Sequence, residues 1–177
     1  FGMTGLREDH ISVRLRGTAG QSLGAFATQG LRLEVIGDAN DYVGKGMSGG
    51  TIIVRPSASA AFVAHENTII GNTVLYGATS GKMFAAGQAG ERLCVRNSGA
   101  TAVVEGAGTN ACEYMTGGRV VILGEVGDNF GAGMTGGMAF IYDPNGTFED
   151  RVNPASLEVM RIGTAHWETE LKALIEE

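Results

Sequence analysis

The sequence is poor in the residues that build disulfide frameworks and metal centres. It holds two cysteines, three histidines and three prolines among 177 residues. Two cysteines cannot make a disulfide framework, and no secretory signal, lipidation motif or apolar run of membrane-spanning length is present. We therefore expect a soluble protein of a reducing compartment, with the cytoplasm as its location.

Positive charge is scarce as well. Lysine and arginine number 13 against 19 aspartates and glutamates, and the formal net charge is −6. Such a balance argues against a basic surface for nucleic acid or for an anionic membrane. We expect neither as a partner.

Glycine, by contrast, is abundant, with 29 residues. With so little proline, this excess fits neither a flexible linker nor collagen. Six marker glycines recur at steps of 20, 31, 18, 19 and 19 residues, namely Gly30, Gly50, Gly81, Gly99, Gly118 and Gly137. At three of these glycines, Gly50, Gly118 and Gly137, the sequence motif Met-Ser/Thr-Gly-Gly ends. A period near 20 residues indicates a stack of similar coils.

A short apolar run follows each marker glycine. These runs predict strands at 31–36, 51–54, 82–86, 100–104, 119–123 and 138–142, after a first strand at 10–16. The inward-facing candidates are Ile52, Val54, Met83, Ala85, Val120, Ile122, Ala139 and Ile141. Nineteen extended residues form a closed path of roughly 60 Å, which suits three short sides. A leucine-rich horseshoe has a similar period, but its L-x-x-L-x-L motif is absent. We predict an all-β fold, a right-handed parallel β-helix of about six to seven coils.

Two details of the repeat are irregular. The long step after Gly50 contains the extra residues 56–67, which we expect to form a loop on one face. The alignment of the first coil with the second is open, because either Gly30 or Leu31 can occupy the position of the marker glycine. The second choice places Leu33 level with Ile52.

The character of the chain changes beyond the last strand. We predict a β-helix domain over 1–152 and a C-terminal extension over 153–177, with an amphipathic helix at about 164–177 and Thr164 as its candidate N-cap. The apolar stripe of this helix is Trp167, Leu171, Leu174 and Ile175. The helix either covers the end of the stack, which we favour, or docks on a partner. Since the chain begins at Phe1 and stops inside a helical pattern, we expect a piece of a longer chain.

Three glycine-rich segments imitate nucleotide-binding loops. Residues 44–49 and 131–136 match G-x-G-x-x-G, and residues 77–82 resemble a P-loop that is one residue too short. A pyrophosphate site needs a helix N-terminus after the glycines, whereas both G-x-G-x-x-G segments lead into predicted strands. We interpret these glycines, and the upstream Gly71, Gly108 and Gly127, as corner residues with positive φ or close backbone approach.

The reactive side chains do not cluster. Cys94 and Cys112 lie 18 residues apart, which predicts stacked small core residues in adjacent coils. The three histidines, His10, His65 and His166, show no metal-ligand spacing.

Acidic and amide side chains gather near one predicted corner: Asn40, Asp41, Asn72, Asn110, Asp128 and Asn129. Asp38, Asp41 and Asp128 come nearest to the acid cluster of a polysaccharide lyase or hydrolase. Asp41 and Asp128 share a slot, but three coils intervene between them, which puts them well over about 10 Å apart. We predict no catalytic, cofactor-binding or metal-binding residue in this segment.

Four stretches carry a resemblance to a known family. They are 16–26, 37–50, 106–118 and 127–137, and they include Gly-Asp-Ala-Asn-Asp-Tyr-Val-Gly-Lys-Gly at 37–46. These stretches closely resemble the C-terminal β-helix domain of the glutamate synthase large subunit, with its GXGXG motif. The β-helix component of formylmethanofuran dehydrogenase, which belongs to the same fold family, is the weaker match. The resemblance covers nearly the whole chain.

The resemblance implies a non-catalytic scaffold. In that family a glutaminase domain releases ammonia, and a synthase domain with FMN and an iron–sulfur cluster converts 2-oxoglutarate to glutamate, which assimilates ammonia into glutamate biosynthesis. The implied partners are the amidotransferase and synthase domains of the same polypeptide and the small subunit of the parent enzyme. We expect the outer face and the Trp167 helix to be the contacts. The alternative is an independent assembly subunit similar to that of formylmethanofuran dehydrogenase.

Overall fold

The chain coils through about seven turns into a solenoid of parallel strands. The structure, a computed structural model, describes residue 2 and residues 5–177. The strands are β1 (Ile11–Ala19), β2 (Leu31–Ala39), β3 (Ser48–Arg55), β4 (Thr68–Ile70), β5 (Ser80–Ala85), β6 (Gln88–Ala89), β7 (Ser98–Val104), β8 (Thr116–Ile122) and β9 (Gly136–Ile141). The α-helix α1 (Ala165–Glu176) follows them, and 3₁₀ turns occur at Ala64–Glu66 and Phe148–Arg151. The predicted parallel β-helix with a C-terminal helix is confirmed.

The main side of the solenoid is a parallel sheet with one strand per coil. Its strands follow the order β1, β2, β3, β5, β7, β8, β9. Their register aligns one inward row, Leu33, Ile52, Met83, Ala102, Val120 and Ala139. The predicted inward residues of β3, β5 and β8 are buried, which confirms the alternation. Ala139 and Ile141 of the last strand are half-buried and pack against the same core.

The register settles the phase of the first coil. Leu33 pairs with Ile52, so Leu31 fills the marker slot and the first step is 19 residues. Gly30 is therefore one residue ahead of the slot.

The marker in β7 was predicted one residue too early. The register of β7 moves by one residue between Ser98 and Thr101, so Gly99 and Ala100 together face Gly118. This is a β-bulge, in which two residues of one strand lie opposite one residue of its neighbour. From Thr101 onward the pairing places the buried Ala100 in the marker slot instead of Gly99.

The other two sides of each coil are short. Ala39, Ile70, Ala89, Ala107 and Val126 align in the second side through β4, β6 and single bridges. The third side is an arc outside the named strands, formed by residues 22–26, 42–46, 73–77, 92–96, 110–114 and 129–133. In each arc the first, third and fifth residues have φ between 52° and 66°. The predicted G-x-G corners lie within these arcs.

The irregular step is an exposed loop, as predicted. Residues 56–67 leave the stack between β3 and β4 and contain the 3₁₀ turn Ala64–Glu66. The strands on either side keep their register, because β3 pairs with β5 across the loop.

The C-terminal end of the core is covered, but not by the helix. Phe148, Val152 and Leu157 pack against the last coil, and Val152 forms a bridge with Phe130. Helix α1 instead lies on the outer face of β8 and β9. The expectation that α1 covers the end of the stack is therefore wrong, since residues 148–157 reach that end first.

The apolar stripe of helix α1 packs against the main sheet of the same chain. Leu174 is buried against Val121 and Phe140, and Trp167 and Leu171 join this cluster. The rings of Phe140 and Trp167 meet edge to face, with their centroids 6.3 Å apart. Thr164 occupies the N-cap position as predicted, although its side chain makes no capping hydrogen bond.

Candidate functional site

The two cysteines are stacked core residues, as predicted. Cys94 and Cys112 are free thiols, fully buried, at the third position of neighbouring arcs. Burial raises the pKa of Cys112 to about 12 and raises the pKa of Cys94 well above its usual range. A nucleophilic or metal-binding cysteine needs an accessible thiolate. These thiols are therefore poorly suited to either task.

The two segments that match G-x-G-x-x-G are followed by strands, whereas a nucleotide-binding loop is followed by a helix. Gly44 and Gly46, like Gly131 and Gly133, have φ of 62° to 66° and lie in arcs that lead into β3 and β9. No helix starts behind either segment in the described range, so the oriented N–H groups of a helix N-terminus are missing. A pyrophosphate would meet a strand there instead.

The predicted polar corner exists and links successive coils. The Oδ1 atom of Asp41 accepts a hydrogen bond from the backbone N–H of Asn72 at 2.8 Å. The Oδ1 atom of Asn72 accepts one from the backbone N–H of Glu91, also at 2.8 Å. Gly71 precedes Asn72 because a Cβ there would collide with Asp41. This corner is structural, since its side chains satisfy backbone donors.

Two further acids near the corner, Glu113 and Asp128, have side-chain partners. Glu113 accepts hydrogen bonds from Asn110 at 2.9 Å and from Asn129 at 3.3 Å. Asp128 pairs with Arg151 at 2.5 Å. Asp38 lies at the end of β2, opposite Thr18. The described residues hold no group of three His, Cys, Asp or Glu side chains that could bind a metal ion.

The histidines lie on separate elements. His10 precedes β1 and accepts a hydrogen bond from Arg7 at 3.3 Å. His65 lies in the 3₁₀ turn of the loop, and its carbonyl accepts a hydrogen bond from Gln88. His166 is in α1 beside Trp167.

A charged groove crosses the outer face of the main sheet. Its volume is about 450 Å³, and its lining includes Arg32, Lys82, Phe84 and Glu177. Lys82 bonds to Glu177 at the end of the chain and to Glu8 near its start. The hydrogen bond with Glu177 is the main cause that raises the pKa of Lys82. Lys82 therefore ties both terminal segments to β5.

A second ion cluster spans three coils on the same face. Glu34 bonds to Arg14 at 2.7 Å on one side and to Arg55 at 2.9 Å on the other. These hydrogen bonds, first that of Arg14, lower the pKa of Glu34. Neither this cluster nor the role of Lys82 was predicted from the sequence. The steps of 20 and 21 residues between the three side chains match the coil period and could have revealed their contact.

Flavin and iron–sulfur chemistry do not fit the residues of this segment. An iron–sulfur cluster needs several accessible thiolates, and the sequence has only the two buried thiols. The glycine-rich arcs offer no helix N-terminus to a flavin phosphate in the described residues. No helix of that part of the chain has the length and apolar character needed to cross a membrane.

Comparison with known proteins gives a consistent result. A family model described as the GXGXG motif matches residues 1–177. A glutamate synthase [NADPH] large chain of Azospirillum brasilense is 68% identical over 177 residues, which are all of this chain and 12% of that protein. A ferredoxin-dependent glutamate synthase of Pyropia yezoensis is 53% identical over 99% of this chain and 11% of its own length. A glutamate synthase [NADH] of Schizosaccharomyces pombe is 51% identical over the whole chain and 8% of its own length.

These relatives confirm the resemblance to the glutamate synthase large subunit. The chain spans about a tenth of the length of each of them.

Proposed function

Because the chain belongs to the GXGXG motif family, we propose that it is a non-catalytic scaffold domain of a glutamate synthase. The observation that carries this proposal is the match of the entire chain to a small part of such enzymes. The filled core and the missing cluster of reactive side chains in the described residues agree with it. The chemistry then belongs to other domains of the longer polypeptide.

In this role the segment holds a glutaminase domain and a synthase domain in register, so that ammonia from glutamine reaches 2-oxoglutarate. FMN and an iron–sulfur cluster would reside in the synthase domain, since the residues of this segment do not fit them. A stack of hydrogen-bonded coils suits the task because it is rigid along its axis. The small subunit of the parent enzyme is a further proposed partner.

We also propose a cytoplasmic location. Both cysteines are free thiols, as a reducing compartment maintains them. The relatives named above are all many times longer than this chain, which favours a domain of a large enzyme over an independent assembly subunit.

Two variants of the full-length synthase test this function. The first removes the segment, and we expect glutamine hydrolysis to continue while glutamate formation falls, because the catalytic domains lose their relative placement. The second replaces His10, His65 and His166 with glutamine, and we expect activity within about twofold of the parent enzyme, since a change below about 0.5 kcal/mol is expected of a non-catalytic group. The measurement is the ratio of glutamate formed to glutamine hydrolysed.

Unchanged coupling and thermal stability after removal of the segment would disprove the scaffold role. A large loss of turnover in the histidine variant, without loss of folding, would instead assign chemistry to the segment.

A further inference from the structure

The two ends of the solenoid are finished differently. At the C-terminal end, Phe148, Val152 and Leu157 cover the last coil. At the N-terminal end, the apolar side chains of β1 are 49% exposed at Ile11, 36% at Val13 and 38% at Leu15. No other described segment pairs with the outer edge of β1.

The exposed row of β1 continues the buried core. Ile11, Val13 and Leu15 pair with Leu31, Leu33 and Val35, whose side chains pack in the solenoid core. The row is therefore the open face of the core, exposed because no strand of the described residues pairs with β1 on that side. An exposed edge of nine residues with apolar side chains is also a template for strand pairing.

The free edge has defined hydrogen-bond donors. The N–H of Ile11 donates to the carbonyl of Gly30 at 2.9 Å, and the carbonyl of Ala19 accepts from Asn40. Odd-numbered residues of β1 thus bond to β2. In a parallel ladder the alternate N–H groups point the other way, so those of Ser12, Arg14 and Arg16 face the free edge.

The charges beside this edge specify a partner. Arg14 is 64% exposed and is held on the β2 side by Glu34, which is itself shared with Arg55. Arg16 is exposed on the same face of β1. A strand added to β1 would bring its own side chain beside these guanidinium groups, where a carboxylate is favourable.

We infer that an extended segment of the same longer polypeptide, from outside the 177 residues, adds to the free edge of β1. The segment carries apolar residues against Ile11, Val13 and Leu15 and an acidic residue beside Arg14 or Arg16. This inference rests on the proposed function, because it needs the chain to be one domain of a protein several times longer. The matched region is 12% of one relative and 8% of another, so both contain ample sequence for such a segment.

Residue-resolved amide hydrogen exchange on the full-length synthase tests the inference. We expect the amides of Ser12, Arg14 and Arg16 to exchange at least about tenfold more slowly than those of the exposed loop 57–62, which corresponds to about 1.4 kcal/mol of protection. Exchange as fast as in the loop, with Val13 and Leu15 still protected, would show a free edge and overturn the inference. Protection that disappears on dilution to the monomer would assign the edge to a second copy, which also overturns it.

A matched pair of variants tests the hydrogen bonds themselves. Ser12→Pro removes a donor at the free edge without touching the bonds to β2, and Ser12→Ala is its control. We expect Ser12→Pro alone to speed the exchange of Arg14 and Arg16 by about tenfold or more. Equal exchange in both variants would contradict strand addition. The scaffold role has a separate readout, the ratio of glutamate formed to glutamine hydrolysed after removal of the 177 residues. A free edge of β1 can therefore be distinguished from failure of the scaffold role.

Discussion

Three alternate residues in each arc have left-handed backbone, and several of them are not glycine. Leu75, Cys94 and Cys112 have φ of 58° to 59° at the position where Gly44 has 64°. Each such residue costs roughly 1 kcal/mol or more. Hydrogen bonds between coils offset this cost, because the N–H groups of the left-handed residues point in turn to the next coil and to the preceding one. Gly44 donates to Leu23 of the preceding coil, for example.

Alanine substitutions at two arc glycines allow the cost of backbone strain to be measured apart from the cost of crowding. Gly44 has φ +64°, and a Cβ there would lie 2.8 Å from Leu75 Cδ2 and 3.1 Å from Met47 Sδ. Gly77 has φ +62°, and nothing lies within 4 Å of its added Cβ. We expect Gly44→Ala to lower the free energy of unfolding by about 2–4 kcal/mol and Gly77→Ala by about 1 kcal/mol. Urea denaturation of both variants measures the difference. Equal losses of unfolding free energy in the two variants would contradict this expectation, because they would show that Leu75 and Met47 move away from the new Cβ without a cost.

Only part of this residue-level pattern could be predicted. Glycine signals positive φ by itself, so Gly44, Gly46, Gly131 and Gly133 were recognisable. Leu75 and Cys94 carry no such signal, because their conformation is stabilised by hydrogen bonds to other coils and not by local preference. The absence of a reactive cluster, predicted from scattered histidines and cysteines, stays a prediction for the chain as a whole.

At the scale of elements, helix α1 and the outer face of the sheet bury each other's apolar residues. Arg119 of β8 pairs with Glu170 of α1 at 3.2 Å beside this contact. The amphipathic stripe was predicted correctly, but its position was not, since a stripe requires an apolar surface without saying which one. Val120, Val121 and Ile122 offered the signal, because three consecutive apolar residues indicate a strand that is covered on both faces.

The docking of α1 depends on Leu174. This side chain is 5% exposed, whereas its neighbour Ile175 is 50% exposed. We expect Leu174→Ala to weaken docking by about 2–4 kcal/mol, because truncation of a buried leucine leaves a cavity. Faster amide exchange across Ala165–Glu176, with β3 and β5 unchanged, is the expected result. Ile175→Ala is the control and should leave exchange within about twofold. An equal effect of the two substitutions would contradict the observed orientation of the helix.

At the scale of the whole molecule, one core runs through the coils. Val35 in β2 and Ile122 in β8 belong to the same continuous cluster, which also contains both cysteines. Because the pairing of each main-sheet strand is with the strands of the adjacent coils, stability is expected to be close to a sum over coils and their interfaces. The period of about 20 residues was sufficient to predict this architecture. The covering of its C-terminal end was not predictable, because it depends on single contacts such as that of Leu157.

The thiols report on the opening of this core. We expect Cys94 and Cys112 to resist a thiol reagent in the native chain and to react together, at one rate, once urea unfolds it. Their raised pKa values also set a direction with pH. Unfolded thiols ionise above their ordinary value of about 8.5 while the buried thiols stay neutral, so stability should fall as pH rises from about 9 toward 12. Cys112→Ala should reduce that slope. Reaction of one thiol well before the other would indicate that the coils open separately.

Two of the methionines that precede paired glycines pack against a glycine of the next coil. The space beside Gly81 is filled by the Cε methyl of Met47 from the preceding coil, and that beside Gly137 by Met115. Ala100 occupies the slot of Gly81 one coil further along and carries the Cβ that Gly81 lacks. Removing one whole repeat would therefore bring Met47 against Ala100. The coils are similar in backbone, but the side chains of each one fit a particular neighbour. Deleting or inserting a whole coil would therefore bring together side chains that do not pack.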